Sequence, residues 1–506
     1  MTPEPDAATL MEELRRKGEE LAAVRLENKL LRLKLDALSR RMFGKSSEKL
    51  DAEQMQLLLD GIEELTLAEE SAQQARPGKE PATAEAARER KPRIPEHLPV
   101  KEVFIDPEEV KACPEEWVHI GQEVTEQLEY TPASFERLRI IRRKYVRKDQ
   151  RHLPPVVAPL QPCLQERCLA APSLLAHSMV SRYRDHLPWH RLEGIYAGLG
   201  VEISRQTLAN WSAMTAEACG LLMREIHQSV FASGYVQLDE TPIEYLSPGH
   251  GQTKTGYLWV AHSPLTQETY FQWHTGRAAL CLESLVPARF EGIIQCDGYA
   301  AYGSFAQSRG RAGTIRLAGC WAHARRKFFE TATYCQDAAW VLLQIQEIYA
   351  VEEELRQARA GPEQRQAARA ARSRPVVGHI YAKLEQWQQQ RKHLPKSPTG
   401  VALRYAFNQR AGLEVFLEDG RVEIDSNLVE NTIRPSAVGK KNWLFVGDAQ
   451  AGDRAAAHYT LLDNARRAGA DAYEYLKDLF MRLPSMTNQQ MKEITPRAWM
   501  ALRADQ

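Results

Sequence analysis

The chain has 506 residues, 43% of them apolar and 26% charged, proportions that suit a water-soluble protein of roughly three or four folded units and exclude a disordered or fibrous one. Lys plus Arg equals Asp plus Glu at 66 each, so net charge by itself points to no nucleic-acid or membrane partner. No apolar run reaches the ~18 residues of a membrane span, the first residues lack the apolar stretch of a secretory signal, and eight cysteines form no Cys-x-x-Cys pair, which together lead us to expect a reduced, cytoplasmic protein.

Residues 10 to 42 place Leu10, Leu14, Lys17, Leu21, Val24, Asn28, Leu31, Leu35, Leu38 and Met42 at alternating steps of four and three, the seam of a coiled coil. Leu14, Leu21, Asn28 and Leu35 then fall at a positions, and a lone Asn there favours a parallel pair, so residues 1–45 are expected to form a homodimer. The competing expectation is an amphipathic helix packed on its own chain. A helical extension (46–70) and a linker rich in Ala, Pro, Glu and Arg (71–99) follow.

Residues 100–160 have the alternation of a small strand-rich module. Eight Arg and Lys lie between Arg137 and Arg151 against one Asp, and Arg142, Arg143 and Lys144 at the centre of the run suit a track of phosphates, although a solvated face has the same composition. Over 165–225 the pattern turns helical. In GVEISRQTLANW, Gly200 offers a turn, Ser204 an N-cap, and a short helix then carries Arg205, Gln206, Asn210 and Trp211. This is the outline of a helix-turn-helix with Arg205 and Gln206 as DNA-reading residues, an outline shared by any helical hairpin with a glycine turn.

From Gly234 the period becomes that of strands: YVQLDETP, GYLWVAHS and ETYFQWHTG, then a short helix ALCLESLVP, then GIIQCDGYAAY. Three strands, a helix and a fourth strand are the opening order of a ribonuclease-H-like domain. Asp239 follows the apolar run Tyr235–Leu238 and Asp297 follows Ile293–Cys296, so each is expected where a buried strand emerges. Phosphodiester chemistry requires two hard divalent ions held by carboxylates, and paired aspartates at strand ends meet that demand.

A third carboxylate is expected from RVEIDSNLVENTIRP, read as a helix capped by Asp425 or Ser426, ended by Pro435, with Leu428, Val429 and Ile433 facing the core and Glu430 near its middle. Arg434, one turn on, is placed to orient that carboxylate or to hold a phosphate, and Lys440 and Lys441 extend the positive surface. Taken singly, each acid is an ordinary solubilising residue, one of 66.

The surrounding text is more specific. LDETP, QCDGYAAY, CWAHARRKFFE, RYAFNQRAGLEVFLEDGRVEIDSNLVENTIRP and GKKNWLFVGD, in that order, resemble the transposase of the insertion sequence sixty-six family. SLLAHSMVSRYRDHLPWHRLEGIYAGLGVEISRQTLANW and RRMFGKSSEKL extend the resemblance over nearly all of the chain outside the linker. It implies a multidomain α/β protein with a ribonuclease-H-like DDE core, its catalytic and metal-binding residues Asp239, Asp297 and Glu430, and two Mg²⁺ (or Mn²⁺) ions as cofactors.

Asp297 and Glu430 are 133 positions apart, more than a bare core of this fold needs. The helical text of 336–412 is therefore expected to be an insertion, with the core in 230–335 and 413–470 and a helical tail in 471–506. Cys320-Trp-Ala-His323 resembles a cysteine-x-x-histidine motif of several DDE groups, which leaves His323 either structural or active-site support, as is Asp425; Arg325, Arg326 and Lys327 offer charge to a scissile strand. Relatives carry a zinc module near 113–150, but here only Cys113 remains, and His119 and His152 match no ordinary spacing, so zinc is not expected.

The expected partners are DNA, as element terminal repeats and target, a second copy of the chain, and small accessory proteins of the same element. The expected reaction is attack by water at the element end and then attack by the freed 3′-hydroxyl on target DNA. Two other functions share these motifs: a catalytically silent DNA-binding derivative, and a nuclease of the same fold.

Overall fold

The computed structural model describes residues 134–138, 140, 144–145, 156–157, 162–166, 168–247, 249, 251–309 and 314–504. The expected coiled coil, helical extension and linker, together with Arg142 and Arg143, lie outside the described residues. Of the basic module, β1 (Lys144–Tyr145) and β2 (Val156–Val157) form an antiparallel pair with Lys144 opposite Val157.

Four helices precede the main sheet: α1 (Pro172–Tyr183), α2 (Trp189–Gly198), α3 (Arg205–Ala218) and α4 (Gly220–Ala232). Gly200, at φ +82°, turns the chain between α2 and α3, a conformation that favours glycine. The Ser204 hydroxyl then accepts from Thr207 N and caps α3, which runs for 14 residues rather than ending short. Leu208, Trp211, Ser212 and Thr215 are buried on one side of α3.

The sheet contains β3 (Tyr235–Leu246), β4 (Thr253–Ser263), β5 (Glu268–His274), β6 (Gly292–Gln295) and β7 (Ile315–Ala318), in the order β5-β4-β3-β6-β7. β4 is antiparallel to β3 and to β5, whereas β6 and β7 run parallel to β3 and to each other. Helices α5 (Ala279–Leu285) and α6 (Ala300–Ser308) supply the crossovers that parallel pairing demands.

Strand β3 is longer than its apolar run suggests. It continues past Asp239 to Leu246 because β4 pairs with it from Gln237–His262 to Leu246–Thr253. β6 pairs only with Tyr235, Val236 and Gln237, and on that side β3 is next bonded at Glu244 and Leu246, to Val446 N and Gly447 O, so the gap between accommodates Pro242, which has no N–H to give. Asp239 is thus inside a strand, at the place where its β6 neighbour stops.

After β7 come α7 (Trp321–Phe329), α8 (Gln336–Gln357), α9 (Pro362–Ala368), a π turn (Arg369–Ser373), α10 (Arg374–Gln389) and α11 (Pro398–Asn408). One apolar core joins Tyr235 and Ile293 of the sheet to Trp321 and Phe328 of α7, Ile345 of α8, Tyr381 of α10 and Ala402 of α11. The buried Arg369 guanidinium pairs with Glu352 and donates to the carbonyls of Phe416 and Val422, so it fastens these helices to the segment that leads into the next one.

That next helix, α12 (Asn427–Trp443), does not end at Pro435 but runs through it. Val429, Thr432, Ile433, Ser436, Gly439 and Trp443 make a continuous buried stripe, and its packing on β3 and β4 outweighs the one helical hydrogen bond that proline removes. Glu430 consequently lies in the first turn, not near the middle.

Helix α13 (Ala449–Arg467) covers the outer edge of β5: Asn464 accepts from Thr269 N and donates to Thr269 O, and the Thr460 hydroxyl accepts from Phe271 N. A strand edge that would otherwise be open is thereby satisfied by side chains. The last helices, α14 (Ala472–Arg482) and α15 (Pro496–Ala504), are packed elements; Tyr475, Leu476, Leu479 and Phe480 of α14 are buried, and α14 lies on α1. Among the described residues no helix is long and apolar enough to cross a membrane.

Candidate active site

The register of β3 with β6 sets Gln237 beside Gln295. Two residues on come Asp239, on the same face of β3, and Asp297, just past the end of β6. Asp239 Oδ1 accepts from Glu240 N at 2.8 Å, and Asp297 Oδ1 accepts from Tyr299 N at 2.9 Å. Glu430 arrives from the first turn of α12: its Oε1 is 3.7 Å from His323 Nδ1, and its Oε2 is 3.9 Å from an Arg326 guanidinium nitrogen.

Burial, followed by the charge of Glu240 and then those of Glu430 and Asp297, pushes the Asp239 carboxyl up to about 8, against the pull of its bond to Glu240 N. The three predicted carboxylates therefore share one electrostatic neighbourhood. Their oxygens do not all lie within 4.8 Å of one another: among the described residues the sets of three possible ligands that do are Cys320–His323–Glu430 and Cys335–Asp337–His393.

Two observations favour a hard cation. Glu430 Oε1 is buried with no hydrogen-bond partner, and the Asp239 carboxyl suffers repulsion that a positive ion would relieve. Cys320 supports the backbone instead, since burial pushes its thiol up to about 11 and its Sγ accepts from Ser426 N at 3.3 Å.

The other predicted residues separate. Asp425 is buried and accepts from Tyr349 OH at 2.8 Å and from both Asn427 nitrogens, which makes it an anchor of the α12 start. Arg434 is exposed, and among the described residues the basic groups within 4 Å of the Glu430 carboxylate are His323 and Arg326. Along α7 the basic triplet diverges: Arg325 lies over the Phe329 ring at 5.8 Å, Arg326 faces Glu430, and Lys327 is half-buried. Lys440 donates to Pro242 O at 3.0 Å, whereas Lys441 is exposed. Arg205, Gln206 and Asn210 share the exposed side of α3, with Gln206 donating to Asn210 at 3.0 Å, and Trp211 is in the core.

Sequence reasoning missed two groups. Glu240, on the opposite face of β3 from Asp239, holds Arg277 and accepts from Tyr302 OH at 2.6 Å, and Arg277 in turn lies 3.8 Å over the Tyr299 ring. Gln237 and Gln295 are buried and hydrogen-bonded to each other at 2.8 Å. The signal was a repeated Gln-x-Asp at the end of both apolar runs.

Residues 167–454, more than half of the chain, match the family model described as "Transposase IS66 family", and residues 30–103 match "Transposase C of IS166 homeodomain". Three similar proteins are uncharacterized proteins of Sinorhizobium fredii. The protein y4qI is 35% identical over 404 residues, covering 76% of this chain and 73% of that one. For y4jD the identity is 33% over 424 residues, with 81% and 82% covered, and for y4hP it is 26% over 498 residues, with 93% and 88% covered.

Proposed function

The chain belongs to the transposase IS66 family, and from that premise we propose that it binds the ends of an insertion sequence and cuts and joins DNA at Asp239, Asp297 and Glu430. The observation that carries this reading is that two adjacent strands and one helix bring three carboxylates close enough for Asp239 to respond to the charge of both others. Strand order β5-β4-β3-β6-β7, antiparallel on one side of β3 and parallel on the other, supports a ribonuclease-H-like core.

Asp239, Asp297 and Glu430 would hold two Mg²⁺ (or Mn²⁺), whose chemistry when bound is to activate an attacking oxygen and offset charge on a leaving oxygen. The chain's own groups prepare for this. Asp239 gives up its proton to become a ligand. Arg326, 59% exposed beside Glu430, faces solvent where the phosphate of a scissile strand would lie. Arg277, held by Glu240 and stacked on Tyr299, steadies the turn whose amide supports Asp297.

The exposed Arg205 and Gln206 would read the terminal repeat, and Lys144, Arg325, Lys327 and Lys441 would contact phosphates. Pairing through residues 1–45 would hold two ends in one complex. The test is a strand-transfer assay on element ends in Mg²⁺. Wild-type protein is expected to yield cleaved ends and joined products, and Asp239→Asn protein is expected to bind ends without either. End binding with no metal-dependent cleavage by the wild type would mark a silent DNA-binding derivative, and cleavage without joints would mark a nuclease.

A further inference from the structure

We propose that Gln237 and Gln295 are positioning residues that lock the helix carrying Glu430 to the two strands carrying Asp239 and Asp297. This rests on the three-carboxylate reading and adds the device that fixes its geometry.

The two amides stand side by side in the β3–β6 register, both fully buried, Gln237 two residues before Asp239 on the same face of β3 and Gln295, the last residue of β6, two residues before Asp297. Gln237 Nε2 donates to Gln295 Oε1 at 2.8 Å and to Asp425 O at 3.0 Å, and its Oε1 accepts from Val429 N at 3.2 Å. Gln295 Nε2 donates to Glu423 O at 2.8 Å and to Gly319 O at 3.0 Å. Tyr235 OH donates to Gln295 Oε1 at 2.6 Å and accepts from Glu423 N at 2.9 Å.

The segment so held is the entry to α12. Its remaining backbone groups are also tied from the β7–α7 side: Ile424 O accepts from Trp321 N, and Ser426 N donates to Cys320 Sγ. Val429 N, in the first turn, is shared between Ser426 O at 3.1 Å and Gln237 Oε1 at 3.2 Å, and it belongs to the residue next to Glu430. A side chain from the Asp239 strand therefore serves as a cap for the Glu430 helix. A purely apolar contact would hold the helix against the sheet but leave it free to slide; directional amide bonds with every donor and acceptor used fix its rotation and height.

The experiment compares wild type with Gln237→Met, Gln295→Met, the double variant, Asp239→Asn and, as a stability control remote from the clasp, Tyr381→Phe, which loses one buried bond to Ala406 O. Gln237→Asn, which withdraws the amide by one methylene, replaces Gln237→Met if the latter does not fold. Readouts are Mn²⁺ affinity by electron paramagnetic resonance in the absence of DNA, thermal melts without metal, and cleavage of element ends.

Each glutamine variant is expected to weaken Mn²⁺ binding about tenfold and slow cleavage by a similar factor with end binding retained, as loss of groups that orient metal ligands does elsewhere. The double variant is expected to be little worse than either single one, in melts as in metal affinity, because the two amides act as a unit. Glutamine variants with wild-type Mn²⁺ affinity, or with losses no larger than those of Tyr381→Phe, overturn the clasp. Wild type binding Mn²⁺ no better than Asp239→Asn overturns the three-carboxylate reading instead.

Discussion

His323 Nδ1 and Glu430 Oε1 stand 3.7 Å apart, both buried, and among the described residues neither has a hydrogen-bond partner. Buried polar atoms seldom go unpaired, which supports the proposed role of Glu430 as a metal ligand. Glu430→Gln is expected to reduce metal-dependent cleavage at least about a hundredfold, and His323→Ala about tenfold, each with end binding unchanged in a filter or mobility assay.

The Asp239 carboxyl, pushed up to about 8 from 3.8, gives a pH dependence of definite sign. In the neutral range the folded chain holds a proton that the unfolded chain has lost. The stability linked to that proton is fully present below about pH 4 and is lost as pH rises through about 8. Without metal, Asp239→Asn is therefore expected to melt higher than wild type at pH 9, with the difference vanishing near pH 4. With metal, binding to wild type should release protons below pH 8 and tighten as pH rises, which calorimetry in buffers of different ionisation enthalpy can read.

Arg369 and Glu352 form a fully buried ion pair. Removing Arg369 leaves the buried Glu352 with only its longer 3.3 Å contact to Arg365, so Arg369→Met is expected to cost about 3 kcal/mol in denaturant unfolding. Arg369→Met combined with Glu352→Leu should recover part of that loss, and the remainder belongs to the carbonyls of Phe416 and Val422 that the guanidinium no longer meets.

On α3, Arg205→Ala and Gln206→Ala remove exposed side chains and are expected to leave the melting temperature unchanged. Each should weaken binding to the element end by about 1–3 kcal/mol relative to unrelated DNA of the same length. Ser204→Ala acts differently, because it removes the cap of that helix and should cost about 1 kcal/mol of stability. Equal loss on both DNAs for Arg205 would mean that it touches phosphate and not base.

Much of the architecture was legible because it rests on local periodicity. Strand, strand, strand, helix, strand could be read from apolar alternation, and the run before Asp239 and the run before Asp297 are neighbouring strands as expected. What was illegible depends on partners distant in sequence. Pro435 looked like a helix end because its local cost is visible and the packing of Ile433, Ser436 and Trp443 that offsets it is not. Asp239 looked like a strand end because the polar residues after it pair with β4, a partner that periodicity does not name. Arg434 was assigned to Glu430 by spacing along one helix, whereas the carboxylate turns toward α7. The two glutamines were overlooked because a polar residue in an apolar run carries no sign of what it will bind.

The hydrogen bonds from Tyr235, Gln237 and Gln295 to the backbone of residues 423–429 also bear on the order in which the protein is made. On the ribosome, β3 and β6 emerge long before that segment, and until it arrives the bonds that Tyr235, Gln237 and Gln295 make to it have no protein partner, although the three side chains can still bond one another. The sheet should therefore stay open to water through most of synthesis and consolidate only when the stretch around Glu430 is out, a late, long-range closure of the kind that slows folding. A chain terminated before that stretch would therefore never assemble the carboxylate centre.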